Sequence, residues 1–510
     1  VSEDIHAPLM ERDSGQIGNR LTKSAVLLLS SSVLLRVLQL ATATVLARLL
    51  TPADYGIVAL AMVVTGLIDK FTNVQVGGAI AKVAQMTHAH LDTAFTLNLI
   101  RAALSALVMV AVAGSAASFM HEPRLRDVLY VLAIPTLAGG LHNPHFLLFS
   151  RDLNFSQDVK RAVFSAVLAS VVGIVGAVIF RSYWALVASA VVNALCWTLF
   201  TYWKIPVRLR LGVSKSRELM SYGIWVVLIG VMDELNYRTD YLLIGRFIGS
   251  AALGAYNVGQ VLTTTATGDV VDSMGKALFP AFAIMSADKE RLRNGYRRIQ
   301  SIMLALALPI GFGMSAVAAD VVLVLFGHKW LLAIPVVSLL APIVALQSVT
   351  ASVESLMLSL NQGALLFWRT VLFLVLRVAL MGAGFYLDGF MGIVYARVIY
   401  GFATLFYTLA LAGRVTQSRM LDPVMASWRS LVAVTVMYGG IMILFPTASV
   451  KMAMGMLIGL LAMKIVTGAA LYIGTHAALW LAAGRPDGAE RSLLSQGMRL
   501  AAKLSMLKAA

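Results

Sequence analysis

The side chains in this sequence that could do chemistry are the charged and amide groups lying inside apolar stretches. The first such stretch carries Ser32, Arg36 and Gln39, spaced four and three, which places them on one helical stripe. The second carries Thr65, Asp69 and Asn73 at four-residue spacing, with Lys70 beside them, and the third carries Asn98 and Arg101. Further on come Asp233, Glu234, Arg238 and Asp240, then Asp269, Asp272 and Lys276, then Glu354, Arg377, Arg397 and Lys464. An ionised group at the centre of a membrane helix costs about 2.5–3.5 kcal/mol, so each of these needs a reason.

One reason is functional. In a hydrated central cavity, Arg36, Gln39, Asn73, Arg101, Arg238, Arg377 and Arg397 would bind an anionic substrate, since the planar arginine fork bonds two phosphate oxygens at once. Asp69, Glu234, Asp240, Asp269 and Asp272 are then the candidates to carry protons or hold a cation. The competing reason is structural. Glu234 with Arg238, and Asp272 with Lys276, stand at i, i+4 and can simply neutralise each other. Arg101, Arg397 and Lys464 can snorkel from helix ends. Arg36 has no acidic residue one turn away, which favours function there. The threonines at 263–265 and 267 read as helix packing. The run His142–Asn143–Pro144–His145 reads as a turn or kink at Pro144, with no third ligand for a metal. Cys196 reads as a small apolar residue, and neither a Walker-type nucleotide loop nor a catalytic set is present. No metal, cofactor or enzymatic activity is expected.

The elements that position these groups follow from composition. Of 510 residues, 59% are hydrophobic and 13% charged, against roughly 45–50% and 25% in soluble domains. That excludes an ordinary soluble enzyme, a disordered chain and a disulfide scaffold. Spanning helices need roughly 20 apolar residues. Candidates lie near 22–47, 57–79, 93–119, 128–148, 162–180, 184–203, 219–245, 254–282, 299–319, 331–359, 366–387, 389–413, 430–446 and 452–483. The fold expected is all-α and membrane-integral, with about 14 transmembrane helices.

Of the 41 Lys and Arg, 26 fall on one face with both termini, Lys82 and Arg369 among them; 7 fall on the other face and 8 inside spans. The positive-inside rule makes the richer face and both termini cytosolic. Twelve spans would give the same orientation. The formal net charge of +16 is therefore mostly a topology signal that can help dock anionic lipid headgroups, and it calls for no nucleic acid. Residues 1–21 read as a cytosolic tail without signal-peptide order, and 204–218 as a basic cytosolic linker. In 484–510, Leu493, Leu494, Met498, Leu500, Ala501, Leu504 and Leu507 oppose Arg491, Arg499 and Lys503, as in a surface-lying amphipathic helix.

An internal repeat organises the rest. RLLTPADYG at 48–56 and RFIGSAALG at 246–254 both begin with Arg and reach Gly eight residues later, 198 residues apart. LAIP recurs at 132–135 and 332–335. A duplication of six spans would give parallel halves, 22–203 and 219–413, with a substrate path between them and residues 414–483 as two additional helices.

ARLLTPADYG at 47–56, RDLNF at 151–155, DYLLIGRFIGSAALGAYNVG at 240–259, LFPAFA at 278–283 and FGHKW at 326–330 resemble, in order, the polysaccharide transporter family. That family is part of the multidrug, oligosaccharidyl-lipid and polysaccharide exporter superfamily. The resemblance implies two six-helix bundles around a central cavity plus two C-terminal helices, in a bacterial inner membrane. It implies a flippase for undecaprenyl-pyrophosphate-linked oligosaccharides of exopolysaccharide or capsule, with Arg36 at the family's first-span arginine. The implied partners are the lipid-linked oligosaccharide, membrane lipids, and a polysaccharide polymerase with its export machinery. NVQVGGA at 73–79 departs from the family's Asp-Leu-Gly-like string. The alternatives are a cation-coupled drug or small-solute exporter of the same superfamily and, less well supported, a membrane glycan polymerase or acyltransferase.

Overall fold

Thr51 separates one helix from the next. Its backbone N–H and its hydroxyl donate to Asp54 Oδ2 at 2.9 and 2.6 Å, and the Asp54 N–H donates to the Thr51 hydroxyl at 3.3 Å. With Pro52 at the first helical position, the string TPAD is a capping box that starts a helix. Helix α1 (Ser14–Leu49) runs into this turn and α2 (Pro52–Thr72) leaves it.

The computed structural model describes residues 14–72, 87–146, 149, 155–204, 210–216, 224–286, 288–360 and 362–484. Among these no strand occurs. The further helices are α3 (His88–Phe119), α4 (Arg124–Gly140), α5 (Ser156–Phe180), α6 (Trp184–Lys204), α7 (Ile224–Phe247), α8 (Ser250–Met285) and α9 (Lys289–Ala316). Then come α10 (Ala318–Leu325), α11 (Ala333–Leu346), α12 (Ser348–Ser359), α13 (Gly363–Thr416), α14 (Asp422–Ala426), α15 (Trp428–Leu444) and α16 (Met454–Ala482). Nine segments of the described residues are long and apolar enough to cross a membrane, and α15 is a shorter apolar helix. The protein is an all-α, multi-pass membrane protein. Helix α1 begins inside the stretch read as an N-terminal tail, while the amphipathic pattern at 485–510 lies outside the described residues.

The 54-residue α13 is two helices in one. Asp388 and Gly389 leave helical geometry, and Gly389 takes φ +51°, where a side chain is disfavoured. The break falls at the boundary between the expected spans 366–387 and 389–413.

The chain divides into two units, Val1–Gly254 and Ala255–Ala510. In the first, α3 packs on α4 and α5 on α6, while α1 lies along α5 with the Thr42 hydroxyl donating to Ser170 Oγ at 2.9 Å. Helix α2 packs against α3, α4 and α7. In the second, α9 packs on α11 and α15, and α15 on α16. Leu304, Leu308, Leu409, Met437 and Ile441 form one buried cluster there, closed by Tyr472, whose hydroxyl donates to the Ala305 carbonyl at 2.7 Å.

Two charges in the second unit depart from expectation. Lys464 is not at a helix end. It lies within α16 and donates to Asp320 Oδ2 of α10 at 2.8 Å, with both side chains almost fully buried. Asp320 falls between the candidate spans 299–319 and 331–359, yet it is buried. A lysine that finds a carboxylate inside the bundle has no reason to snorkel.

The repeat has a structural counterpart within the first unit. A Cβ on Gly56 would collide with the Ser250 carbonyl oxygen, and a Cβ on Gly254 would collide with the Pro52 carbonyl oxygen. Each glycine thus meets the residue four positions before its counterpart, so the two helix starts touch backbone to backbone about a local two-fold. LAIP does not correspond in the same way. Its first copy lies inside α4, with Pro135 in the helix, and its second begins α11. Gly56→Ala or Gly254→Ala is expected to cost about 1–3 kcal/mol by forcing these helices apart. Thermal unfolding in detergent checks this, and an unchanged melting temperature in both variants would refute the contact.

Candidate functional site

Three helices of the first unit bring the predicted charges together. Asp69 stands near the end of α2, one turn after Gly66. Arg101 of α3 approaches Asp69 with Nη1 3.5 Å from Oδ1, and the Asp69 side chain is 54% exposed. One turn further on, Thr72 and Ser105 share a hydroxyl hydrogen bond of 2.8 Å that ties α2 to α3. From α7, Arg238 Nε donates to Glu234 Oε1 at 2.8 Å, realising the i, i+4 pair read from the sequence. Its guanidinium lies 5.1 and 5.5 Å from the rings of Tyr237 and Tyr241, which restrict its orientation.

This pair reaches α2 because Gly66 has no side chain: a Cβ there would be 2.5 Å from Glu234 Oε1 and 3.4 Å from Arg238 Nη2. The exposed Lys70 lies against α7, with its Cδ 3.9 Å from where a Cβ on Gly230 would be. Two carboxylates and three cations therefore share one polar site on α2, α3 and α7. Gly66, Tyr237 and Tyr241 were not among the predicted site residues. Only the spacing of Gly66 to Asp69 hints at the first, since a small residue on the charged stripe lets another helix come close.

The remaining predicted residues lie elsewhere. Arg36 is half-buried and Gln39 exposed on α1. Asp240 is buried on α7. Asn73 lies outside the described residues, and so do the side chains of Asp269 and Asp272 on α8. In the second unit, Arg377 and Arg397 are buried on the two legs of α13, with guanidiniums 5.0 and 5.3 Å from the Tyr400 ring. Arg369, counted with a cytosolic loop in the sequence, is instead 7% exposed on the same helix, 5.6 Å from the Phe373 ring and 3.8 Å from Glu354.

The histidine run is a turn held to α5. Arg161 Nη1 donates to His142 Nε2 at 2.8 Å and Nη2 to Asp158 at 2.8 Å, and its guanidinium lies between the Phe146 and Trp197 rings. Burial, and then the neighbouring Arg161, push His142 down to about 4, so it is neutral and can accept this bond. The His145 N–H donates to Asn143 Oδ1 at 3.0 Å, and Pro144–Phe146 form a short 3-10 helix. Among the described residues, no group of three or more side chains is placed to hold a metal ion.

A family model described as "Polysaccharide biosynthesis protein" matches residues 45–335, more than half of the chain. The chain belongs to this family. As a member of the polysaccharide biosynthesis family it is 26% identical over 363 residues to the succinoglycan biosynthesis transport protein ExoT of Rhizobium meliloti (strain 1021), covering 69% of this chain and 72% of that one. It is 24% identical over 340 residues to the lipopolysaccharide biosynthesis protein WzxC of Escherichia coli (strain K12), covering 64% and 68%. Among solved structures, the lipid II flippase MurJ in an inward closed conformation aligns with a TM-score of 0.70 at 10% identity, over 90% of this chain and 100% of that one. An inward-facing multidrug resistance MATE family transporter of the MOP superfamily aligns with a TM-score of 0.57 at 15% identity, over 75% and 95%. At these identities, what this member of the polysaccharide biosynthesis family shares with both is its fold.

Proposed function

We propose that the protein is a flippase, and not an enzyme, moving undecaprenyl-pyrophosphate-linked oligosaccharide repeat units across the bacterial inner membrane for exopolysaccharide or capsule export. In this reading 14 spans leave both termini cytosolic, and two six-helix bundles expose a cationic central cavity to each side in turn. The observation that carries it is the polar site formed by Asp69, Lys70, Arg101, Glu234 and Arg238, in a chain whose relatives are named for polysaccharide transport and biosynthesis. Three cations against two carboxylates suit a diphosphate. The isoprenoid tail can remain in lipid while the glycan head needs a hydrated path. A charged head also feels the membrane potential, at about 2.3 kcal/mol per charge per 100 mV. Arg36, Gln39, Asn73, Arg377 and Arg397 complete the proposed substrate contacts. Asp240, Asp269 and Asp272 remain candidates for coupling beside Asp69 and Glu234.

The experiment is gene deletion followed by analysis of surface polysaccharide and of lipid-linked repeat units in each leaflet. Loss of surface polysaccharide with repeat units held on the cytosolic leaflet is the expected result. Intact polysaccharide with altered drug tolerance would instead favour a cation-coupled exporter, a reading that the MATE-like fold also accommodates.

A further inference from the structure

Residues 210–216 form a strap along the N-terminal part of α3 and are held there by their main chain. The Arg210 N–H donates to Asp92 Oδ1 at 3.2 Å, the Gly212 N–H to Thr96 Oγ1 at 2.9 Å and the Lys215 N–H to Thr93 Oγ1 at 3.3 Å. The Thr93 and Thr96 hydroxyls donate their own hydrogens to the Ala89 and Asp92 carbonyls, at 2.7 and 2.8 Å, which leaves their lone pairs to accept from the strap. Gly212 faces the helix: a Cβ there would stand 3.7 Å from the Asp92 Cβ. Its neighbours Leu211 and Val213 are instead 73% and 57% exposed, and Arg210 is exposed beside them. A strap attached through its backbone is free to use its side chains elsewhere.

Helix α6, which precedes the strap, ends with the exposed Trp203 followed by Lys204. An aromatic ring and a cation at the end of a spanning helix mark the boundary between lipid and water. From there, residues 204–217 hold five cations, Lys204, Arg208, Arg210, Lys215 and Arg217, and no carboxylate. Asp92, which touches the strap, offsets only one of them. From this geometry, and resting on the membrane orientation in the reading above, we propose that the strap is a docking site for anionic phospholipid headgroups of the cytosolic leaflet. Its cations meet the lipid phosphates, each strengthening the attraction roughly fivefold. Leu211 and Val213 enter the layer between headgroups and acyl chains. An acidic protein surface would match the cations, but two exposed apolar side chains beside a lipid–water boundary favour the bilayer. The site uses none of the residues of the polar site on α2, α3 and α7.

The test uses the full-length chain with Cys196→Ala and Val213→Cys, labelled at position 213 with an environment-sensitive fluorophore. The protein is placed in nanodiscs of phosphatidylcholine alone, or with a third of the lipid as phosphatidylglycerol, each with nitroxide-bearing acyl chains as quencher. In the anionic discs the emission is expected to shift to the blue and to be quenched. Both effects are expected to weaken as salt rises from about 0.1 to about 1 M, where screening shortens from about 10 to about 3 Å. Adding Arg210→Gln and Lys215→Gln is expected to lower the equilibrium constant for docking roughly 25-fold, two factors of about five. Equal quenching in both discs at every salt concentration would overturn the proposal, as would a label that stays in water in both. A label in water in both discs but shielded in native membranes would give the surface to a protein partner instead. Orientation is read separately, from an impermeant thiol reagent acting on Ser214→Cys in the Cys196→Ala background. Reaction in inverted vesicles and not in spheroplasts is expected. The reverse would overturn the cytosolic assignment and the orientation it rests on, whatever the discs show.

Discussion

Lys464→Met is expected to destabilise the second unit by about 3–5 kcal/mol, the cost of leaving one partner of a buried ion pair without the other. Asp320 is fully enclosed, and its Oδ1 finds no hydrogen-bond partner, so the 2.8 Å bond from Lys464 to Oδ2 is its principal neutraliser. Lys464 borders a cavity of about 400 Å³ whose other lining residues include Pro309, Met314, Val317, Met437 and Ile465. Without the lysine, the enclosed Asp320 carboxylate is left without its counter-ion, which loosens α16 from α10. The double variant Asp320→Leu/Lys464→Met removes both charges and is expected to recover most of the loss. Thermal unfolding of the purified protein in detergent measures both effects. A single variant that melts with wild type would show that the pair does not hold α16 in place.

Arg101→Ala is expected to do the reverse, losing transport and keeping the fold. A loose, partly exposed pair contributes only about 0–1 kcal/mol to stability, so its melting temperature is expected to stay near that of wild type. Transport depends on the guanidinium meeting a diphosphate. Hydrogen bonds to charged groups are worth about 1.5–3 kcal/mol, which corresponds to roughly a 10- to 100-fold loss of flipping. Proteoliposomes loaded with lipid-linked oligosaccharide provide the assay. Arg101→Lys keeps the charge without the fork and is expected to fall between the two. Wild-type flipping by Arg101→Ala would remove this residue from the substrate path.

What the sequence could disclose was set by distance along the chain. TPAD announces a helix start because all of its partners lie within four residues. Glu234 and Arg238 declare their pairing because one helical turn brings them together. The break at Gly389 is legible because two apolar stretches meet there with too little chain for a loop. Contacts between helices carry no such mark. Asp69 and Arg101 lie on different helices, and Asp320 and Lys464 are 144 residues apart. Nothing in the spacing of either pair announces it. Arg369 was misplaced for a related reason: a cation near the start of an apolar stretch looks the same in sequence whether it meets water or turns inward onto Phe373. LAIP misled in the other direction, since four apolar letters repeat readily in a chain this hydrophobic.

The contact of Gly56 with Ser250 and of Gly254 with Pro52 is self-complementary, each segment offering the other the surface it accepts. Such isologous pairing is the signature of a homodimer closed by a two-fold axis. Here both partners are carried on one polypeptide, as they would be after fusion of two copies of an ancestral half. In a true homodimer every substitution at this contact would appear twice. Within one chain it appears once, so each side can keep its own glycine and differ around it: one helix starts with a threonine–aspartate capping box, and the other starts after a glycine at φ +116°.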